Sequence, residues 1–240
     1  MLSSENATTN PSRWNLLVAE DHLMVREGLI ALLEQDKRIV VVARASSASE
    51  VKQQLRRHPV DLLLLDLMLG DSDGVTLIKD LLGEFAGLRV LVISAHNDPL
   101  FAERSLKAGA LGFITKDEPA NSIFSAIESV MDGRFAMTEN LAASILKRRL
   151  KSPSQGGELD ISSLSDRELH VFTLLGKGLT SRKISVQLKV SIKTVDAHRE
   201  HIKSKLMIED SAHLVRHAVL WVQQQEPSRS AAYSRASRGH

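Results

Sequence analysis

The chain has 240 residues, 43% of them hydrophobic and 25% charged, with a formal net charge of +2 and no cysteine. The missing cysteine excludes disulfides, thiolate metal sites and a cysteine nucleophile, and the length accommodates two small domains, each with its own core. Residues 1–13 are polar and lack the apolar centre of a signal peptide, and no apolar run reaches the roughly 18 residues of a membrane span, so the expectation is a cytosolic protein with no membrane partner.

From Trp14 apolar strands alternate with amphipathic helices. Leu16-Leu17-Val18-Ala19 reads as a strand ending in Glu20-Asp21, and 22–35 has helical spacing. Ile39–Ala43 reads as a second strand, and Ser47-Ala48-Ser49-Glu50 as a capping box opening a helix that ends before Pro59. Val60-Asp61-Leu62-Leu63-Leu64-Leu65-Asp66 is a short apolar run without alternation, as in a strand buried on both faces. A helix is expected over 76–84, a strand over Val90–Ile93 ending on Ser94, and a helix from Asp98-Pro99 to Gly109. Strand Leu111–Thr115 ends on Lys116, and Pro119 opens a helix that reaches Asp132-Gly133. Five βα units predict a doubly wound five-stranded parallel sheet with right-handed crossovers, a flavodoxin-like α/β domain.

Open α/β sheets place their chemistry at the carboxyl ends of the strands. Those ends carry Glu20-Asp21, Asp66, Ser94 and Lys116. If the first and third strands are neighbours, three carboxylates converge, and they repel one another unless a cation intervenes. Such an all-oxygen set suits Mg²⁺. A hydroxyl and an ammonium beside it stabilise charge on phosphoryl oxygens, and an ionised Asp66 attacks phosphorus without a general base.

Glu20-Asp21, Asp66, Asp73-Gly74, Ser94-Ala95, Phe113 and Lys116, in this order and strand context, resemble the receiver domain of two-component response regulators over about 15–133. The resemblance implies that Asp21 and Asp66 bind Mg²⁺ with the carbonyl of Met68, and that Glu20 helps through water. It implies that Asp66 accepts phosphate from a histidine kinase, that Ser94 and Phe113 form the switch pair, and that Lys116 pairs with the phosphoryl oxygens. Gly70 stands where the family usually has proline, which loosens the loop after the strand. Asp71-Ser72-Asp73-Gly74-Val75-Thr76 is also similar to the nucleophile motif of haloacid-dehalogenase-type phosphatases. That motif should follow its strand directly, whereas this strand ends at Asp66. His22 reads as a first-turn helix residue and His96 as a loop residue near the site.

The pattern over 138–150 is helical with a basic end, and 151–157 has linker composition. Beyond it the balance of charge changes. Residues 1–135 hold 14 Lys/Arg and 19 Asp/Glu, a net of −5, while 136–240 hold 17 and 10, a net of +7. A basic second half points to nucleic acid. Four short helices are expected: one opened by the capping box Ser165-Asp166-Arg167-Glu168, and three capped by Thr180, Ser191 and Asp210, the last ending near 224. The middle pair, joined by Lys189-Val190, has helix-turn-helix geometry. In the helix 192–206, Ile192, Val195, Ile202 and Leu206 form the expected inward stripe.

The opposite side offers a small, polar, partly cationic face for the DNA major groove. Arg182, Lys193 and Thr194 are candidates for phosphate contact, and Asp196, Ala197, Arg199, Glu200 and Lys203 for base readout. Asp196–Arg199 and Glu200–Lys203 also read as intrahelical pairs on a solvated face. The pairs His198/His201 and His213/His217 lack a third ligand and read as helix-surface residues. Leu164-Ser165-Asp166-Arg167-Glu168, Gly178 to Ile184, Val190 to Arg199 and Lys205-Leu206 together strongly resemble the LuxR-type helix-turn-helix of the NarL/FixJ class, over about 162–221.

The expected layout is a disordered N-terminus over 1–13, a receiver over 14–135, a helix and linker over 136–161, a small all-α DNA-binding domain over 162–224 and a disordered basic tail over 225–240. The expected function is a cytoplasmic response regulator, not an enzyme. A histidine kinase would phosphorylate Asp66 with Mg²⁺ present, and a homodimer would bind promoter DNA, with RNA polymerase a further partner. Two alternatives differ in what the first domain does. It could be a phosphorylation-independent protein-interaction module, or a phosphohydrolase, for which no substrate-pocket signature is visible.

Overall fold

The computed structural model describes residues 13–70, 72–95, 98–150, 160–188 and 190–225. The expectations for the N-terminus before residue 13, for His96, Asp71 and Lys189, for the linker composition and for the tail beyond 225 lie outside the described residues. The chain divides into two compact units between Ser152 and Pro153.

The first unit alternates β1 (Trp14–Ala19), α1 (Leu23–Leu33), β2 (Ile39–Ala45), α2 (Ala48–Arg57), β3 (Leu62–Asp66), α3 (Gly74–Glu84), β4 (Arg89–Ser94), α4 (Pro99–Lys107), β5 (Gly112–Thr115) and α5 (Ala120–Met131). All strand pairs are parallel and the order is β2-β1-β3-β4-β5, which makes β1 and β3 neighbours. Every residue of β3 is buried, as the unbroken leucine run predicts for a central strand covered on both faces. Burial of each of these leucines stabilises the fold by roughly 1.5–3 kcal/mol. Alternate residues go to opposite layers: Leu16, Val18, Leu62, Leu64, Leu91, Ile93 and Ile114 pack with α1 and α5 in one core.

Local caps set the helix starts. Asp73 accepts from the Thr76 N–H at 2.8 Å and Asp98 from the Leu100 N–H at 2.8 Å, with Pro99 opening α4. Ser47 caps α2 through the Glu50 N–H, but the reciprocal arm of the expected capping box reaches one residue further back. The Glu50 carboxylate accepts from the Ser46 N–H at 2.8 Å and the Ser46 hydroxyl at 2.9 Å. After α5 the chain runs along β5, where the Phe113 N–H donates to the Ala136 carbonyl at 2.8 Å and the Ala136 N–H to Leu111 at 2.9 Å. A further helix, α6 (Glu139–Leu150), packs against α4 and buries Leu141.

The second unit has a 3-10 turn (Ile161–Ser163) followed by α7 (Asp166–Gly176), α8 (Ser181–Leu188), α9 (Ile192–Leu206) and α10 (Ser211–Gln225). The capping box of α7 is complete: Ser165 accepts from the Glu168 N–H, and Glu168 accepts from the Ser165 N–H. Buried Leu169, Phe172, Ile184, Val195, Ile202, Leu206, Leu214 and Ala218 supply apolar contacts from all four helices, and the rings of Phe172 and Trp221 lie 5.8 Å apart. Ile192 departs from the expected inward stripe, since the residue is 45% exposed. It is the first residue of α9, and the buried stripe begins one turn later at Val195.

Candidate functional site

Parallel register brings the strand ends together at one edge of the sheet. Ala19 pairs with Leu65 and Asp66 with Ile93, so Glu20 and Asp66 emerge side by side from β1 and β3. Ser94 pairs with Thr115 on the next two strands, and the N–H of Lys116 donates to the Ser94 carbonyl at 2.8 Å. Glu20 and Ser94 are fully buried and Asp66 nearly so, while Lys116 and Asp21 are partly exposed.

The ammonium of Lys116 donates to Asp66 Oδ2 at 2.8 Å and also to Glu20 Oε2. The other Asp66 oxygen accepts from the Met68 N–H at 3.1 Å. Burial, and then the charge of Asp66, push the Glu20 carboxyl above its ordinary range in spite of the lysine. Burial opposes the charge on Lys116, but Asp66 and then Glu20 outweigh it and raise the lysine above its ordinary value. Asp21 stands at the mouth, its Oδ1 2.6 Å from His22 Nδ1, and the same nitrogen is 3.1 Å from Glu20 Oε1. Potential ligand atoms of Glu20, Asp21 and His22 lie within 4.8 Å of one another. Two carboxylates share the Lys116 ammonium and a third, Asp21, stands beside Glu20, and this oxygen-rich set fits a divalent cation such as Mg²⁺.

The structure therefore brings together Glu20, Asp21, Asp66 and Lys116, with Met68 touching Asp66 through its amide and Ser94 on the adjoining strand end. Phe113 lies lower in β5, paired with Val92, and its ring is fully buried. Gly70 has a φ of +59°, a left-handed conformation that proline cannot adopt. Sequence reasoning missed His22 as a neighbour of the acidic groups. The available signal was its place directly after Glu20-Asp21, ahead of the first helical residue Leu23.

On the second unit, Arg182, Lys193, Asp196, Ala197 and Glu200 are exposed, and Thr194, Arg199 and Lys203 are partly buried. The Arg199 guanidinium donates to Ser181 Oγ at 2.7 Å and lies 3.9 Å from Asp196, and Lys203 pairs with Glu200 at 2.9 Å. Both intrahelical pairs read from the sequence thus exist in the free chain, each joining an exposed carboxylate to a partly buried cation. Arg182 and Lys193 form no ion pair among the described residues. None of the four histidines on α9 and α10 joins a three-ligand cluster there. His213 lies 2.8 Å from Asp210, the capping residue of α10. No helix among the described residues is long and apolar enough to cross a membrane.

Residues 16–128 match the family described as response regulator receiver domain, and residues 162–218 the family described as bacterial regulatory proteins, luxR family. The chain is 32% identical over 205 residues to the Fimbriae Z protein of Salmonella typhimurium, covering 85% of this chain and 95% of that protein. It is 31% identical over 210 residues to the oxygen regulatory protein NreC of Staphylococcus epidermidis, covering 85% and 96%. RcsB from Salmonella enterica serovar Typhimurium, solved bound to a promoter, has a similar fold, with a TM-score of 0.58 at 23% identity over 87% of this chain and 99% of that one.

Proposed function

Because the chain belongs to the two-component response regulators that join a receiver domain to a LuxR-type DNA-binding domain, we propose that phosphorylation of Asp66 by a histidine kinase controls its binding to promoter DNA. The observation that carries this reading is the meeting of Asp66 with Glu20 and Lys116 at the carboxyl edge of the sheet, in a chain whose second unit is a helix-turn-helix domain.

In the transfer, an Asp66 carboxylate oxygen forms the new O–P bond, and the P–N bond of the donor phosphohistidine breaks with its electron pair returning to the imidazole, which takes up a proton. Lys116 moves its ammonium from the carboxylates onto the phosphoryl oxygens and offsets their charge. Asp21 and Asp66, with the Met68 carbonyl and with Glu20 through water, would hold Mg²⁺, which would supply further charge neutralisation on the phosphoryl group. Ser94 and Phe113 carry the change to the receiver surface. The phosphoryl group acts by stabilising one of two receiver conformations, so its effect is bounded by its differential interaction with them.

In this reading 14–135 form the receiver, 136–161 the connection and 162–224 the DNA-binding domain. Arg182, Lys193 and Thr194 hold phosphates, and Asp196, Ala197, Arg199, Glu200 and Lys203 face base edges. The protein acts in the cytoplasm as a transcription regulator, as a homodimer on DNA and within reach of RNA polymerase, and not as an enzyme on an external substrate.

The test is phosphoryl incorporation from acetyl phosphate or a kinase in the full chain, read by intact mass. Asp66→Asn is expected to incorporate none while keeping its circular dichroism spectrum. Label at another residue in that variant sinks the assignment. Regulation that persists in Asp66→Ala, with no acyl phosphate formed by the wild type, favours instead a phosphorylation-independent interaction module.

A further inference from the structure

The helix proposed to read DNA, α9, is held in its unit by apolar contacts and by a small set of directional polar ties. Val195, Ile202 and Leu206 form its buried stripe. Apolar burial is non-directional, so such a stripe leaves small rotations and tilts of the helix cheap. Hydrogen-bonded charge pairs are directional and penalise them.

Side-chain hydrogen bonds tie α9 to its neighbours. Near its middle, Arg199 donates to Ser181 Oγ at the start of α8, at 2.7 Å. At its C-terminal end, Lys205 donates to Glu168 Oε2 at 2.6 Å. Glu168 is 5% exposed, on the first turn of α7, and the same oxygen accepts from the Ser165 N–H at 2.8 Å. Its other oxygen faces His201 of α9, with Nδ1 3.9 Å away. One nearly buried carboxylate therefore closes the capping box of α7 and fastens Lys205 of α9. Burial works against its charge, yet Lys205 and the Ser165 N–H hold the Glu168 carboxyl below its ordinary range.

We propose that Glu168 and Lys205 are a positioning pair for the DNA-reading helix, and that Lys205, although cationic and on that helix, serves as an anchor to α7 and not as a phosphate contact. This rests on the DNA-binding role given above. The physical reason is the cost of the alternative. Moving the Lys205 ammonium to a DNA phosphate leaves Glu168 an unpaired carboxylate in a nearly buried place, which is strongly unfavourable.

The pair matters more for sequence selection than for general affinity. Base-edge hydrogen bonds require a set helix angle, whereas long cationic side chains reach phosphates over a range of angles. Loss of the anchor lets α9 tilt, so the selective contacts weaken first. The charge count at the DNA backbone stays as it was.

The experiment uses the full chain in fluorescence anisotropy titrations, at several salt concentrations, against two labelled duplexes. One is enriched by the wild-type chain from a random-sequence pool, and the other is a scramble of the same composition. Lys205→Met and Glu168→Gln are each expected to weaken binding to the enriched duplex about ten-fold and to the scrambled one by less than about two-fold. The double variant is expected to be no worse than the weaker single one, because the two residues act through one contact. The salt slope on the scrambled duplex stays unchanged in Lys205→Met, whereas a lost phosphate contact reduces it by about 0.9.

A reduced slope, equal losses on both duplexes, or additive losses in the double variant overturn the proposal. Circular dichroism checks folding. Should Glu168→Gln fail to fold, Lys205→Met still decides through its slope and selectivity, since Lys205 lies at the surface with its side chain 41% exposed. A wild-type chain that enriches no sequence removes the DNA-binding reading itself. That result is distinct from a wild type that selects DNA and a Lys205→Met variant that selects it equally well.

Discussion

At Lys116 a single ammonium faces two carboxylates, Glu20 and Asp66, that are almost completely withdrawn from water. Removing one partner of such a set leaves buried like charges without compensation. Lys116→Met is expected to destabilise the first unit by roughly 2–4 kcal/mol in metal-free buffer, with millimolar Mg²⁺ recovering a larger share of stability in the variant than in the wild type. Denaturation followed at Trp14, which lies in β1, checks this, and a deficit indifferent to Mg²⁺ counts against a cation beside these carboxylates. Gly70 poses a purely conformational question, since a Cβ there meets nothing within 4 Å while φ is +59°. Gly70→Asn is expected to cost less than Gly70→Ala, itself about 1 kcal/mol, because asparagine tolerates the left-handed region better. Gly70→Pro cannot adopt that φ at all and is expected to slow phosphoryl incorporation from acetyl phosphate by rearranging the loop that follows Asp66 and Met68. Equal melting temperatures and rates across the three variants oppose this account.

Between elements, the second unit depends on one close approach and one charge pair. A Cβ on Gly176, the last residue of α7, lies 2.3 Å from the backbone carbonyl oxygen of Ala218 in α10. Backbone cannot swing aside as a long side chain does, so Gly176→Ala is expected to force α7 and α10 apart and to cost about 2–3 kcal/mol, read from the Trp221 fluorescence transition in a Trp14→Phe background. The charge pair gives this unit a pH dependence. Glu168 has a folded pKa below its unfolded value of 4.5, so the stability it contributes is present above that value and disappears as pH falls through the lower folded one. Stability of the second unit is therefore expected to decline below about pH 4.5, with a shallower decline in Lys205→Met. The same denaturant midpoints in both chains across this window contradict the assignment.

For the molecule as a whole, charge is divided between the two functions. The acidic first half suits the cation proposed for its site, and the basic second half suits a polyanion. The proposed switch asks one phosphoryl group to alter DNA affinity in the other unit. A ligand shifts a two-state equilibrium only by its differential affinity, so a hundred-fold gain in DNA affinity on phosphorylation requires about 2.7 kcal/mol of preference for the active receiver state. Titration of the full chain with its enriched DNA duplex, with and without acetyl phosphate, measures that preference. Asp66→Asn is expected to abolish the difference without altering the unphosphorylated affinity.

Much of this was legible in the residues because it depends on local pattern. The uninterrupted leucines of 62–65 dictate a strand buried on both faces, and a carboxylate at its end falls at the edge where parallel sheets carry their chemistry. Asp98 and Ser165 announce helix starts because a capping side chain bonds only two or three residues ahead, whereas Asp73 caps α3 at Gly74, two residues before the start expected at 76. Other features depend on which elements become neighbours, and no local pattern encodes that. Ile192 has the spacing of a core residue, yet it sits one turn ahead of the buried stripe of α9 and meets solvent. Glu50 chose Ser46 over Ser47, a matter of loop geometry. The carboxylates of Glu20 and Asp66 are 46 residues apart and Lys116 lies 96 residues beyond Glu20, so their shared contact arises only when β1, β3 and β5 take their places in the sheet. Glu168 reads in sequence as half of a capping box. Only the packing of α7 on α9, 37 residues away at Lys205, makes it also the anchor of the helix proposed to read DNA.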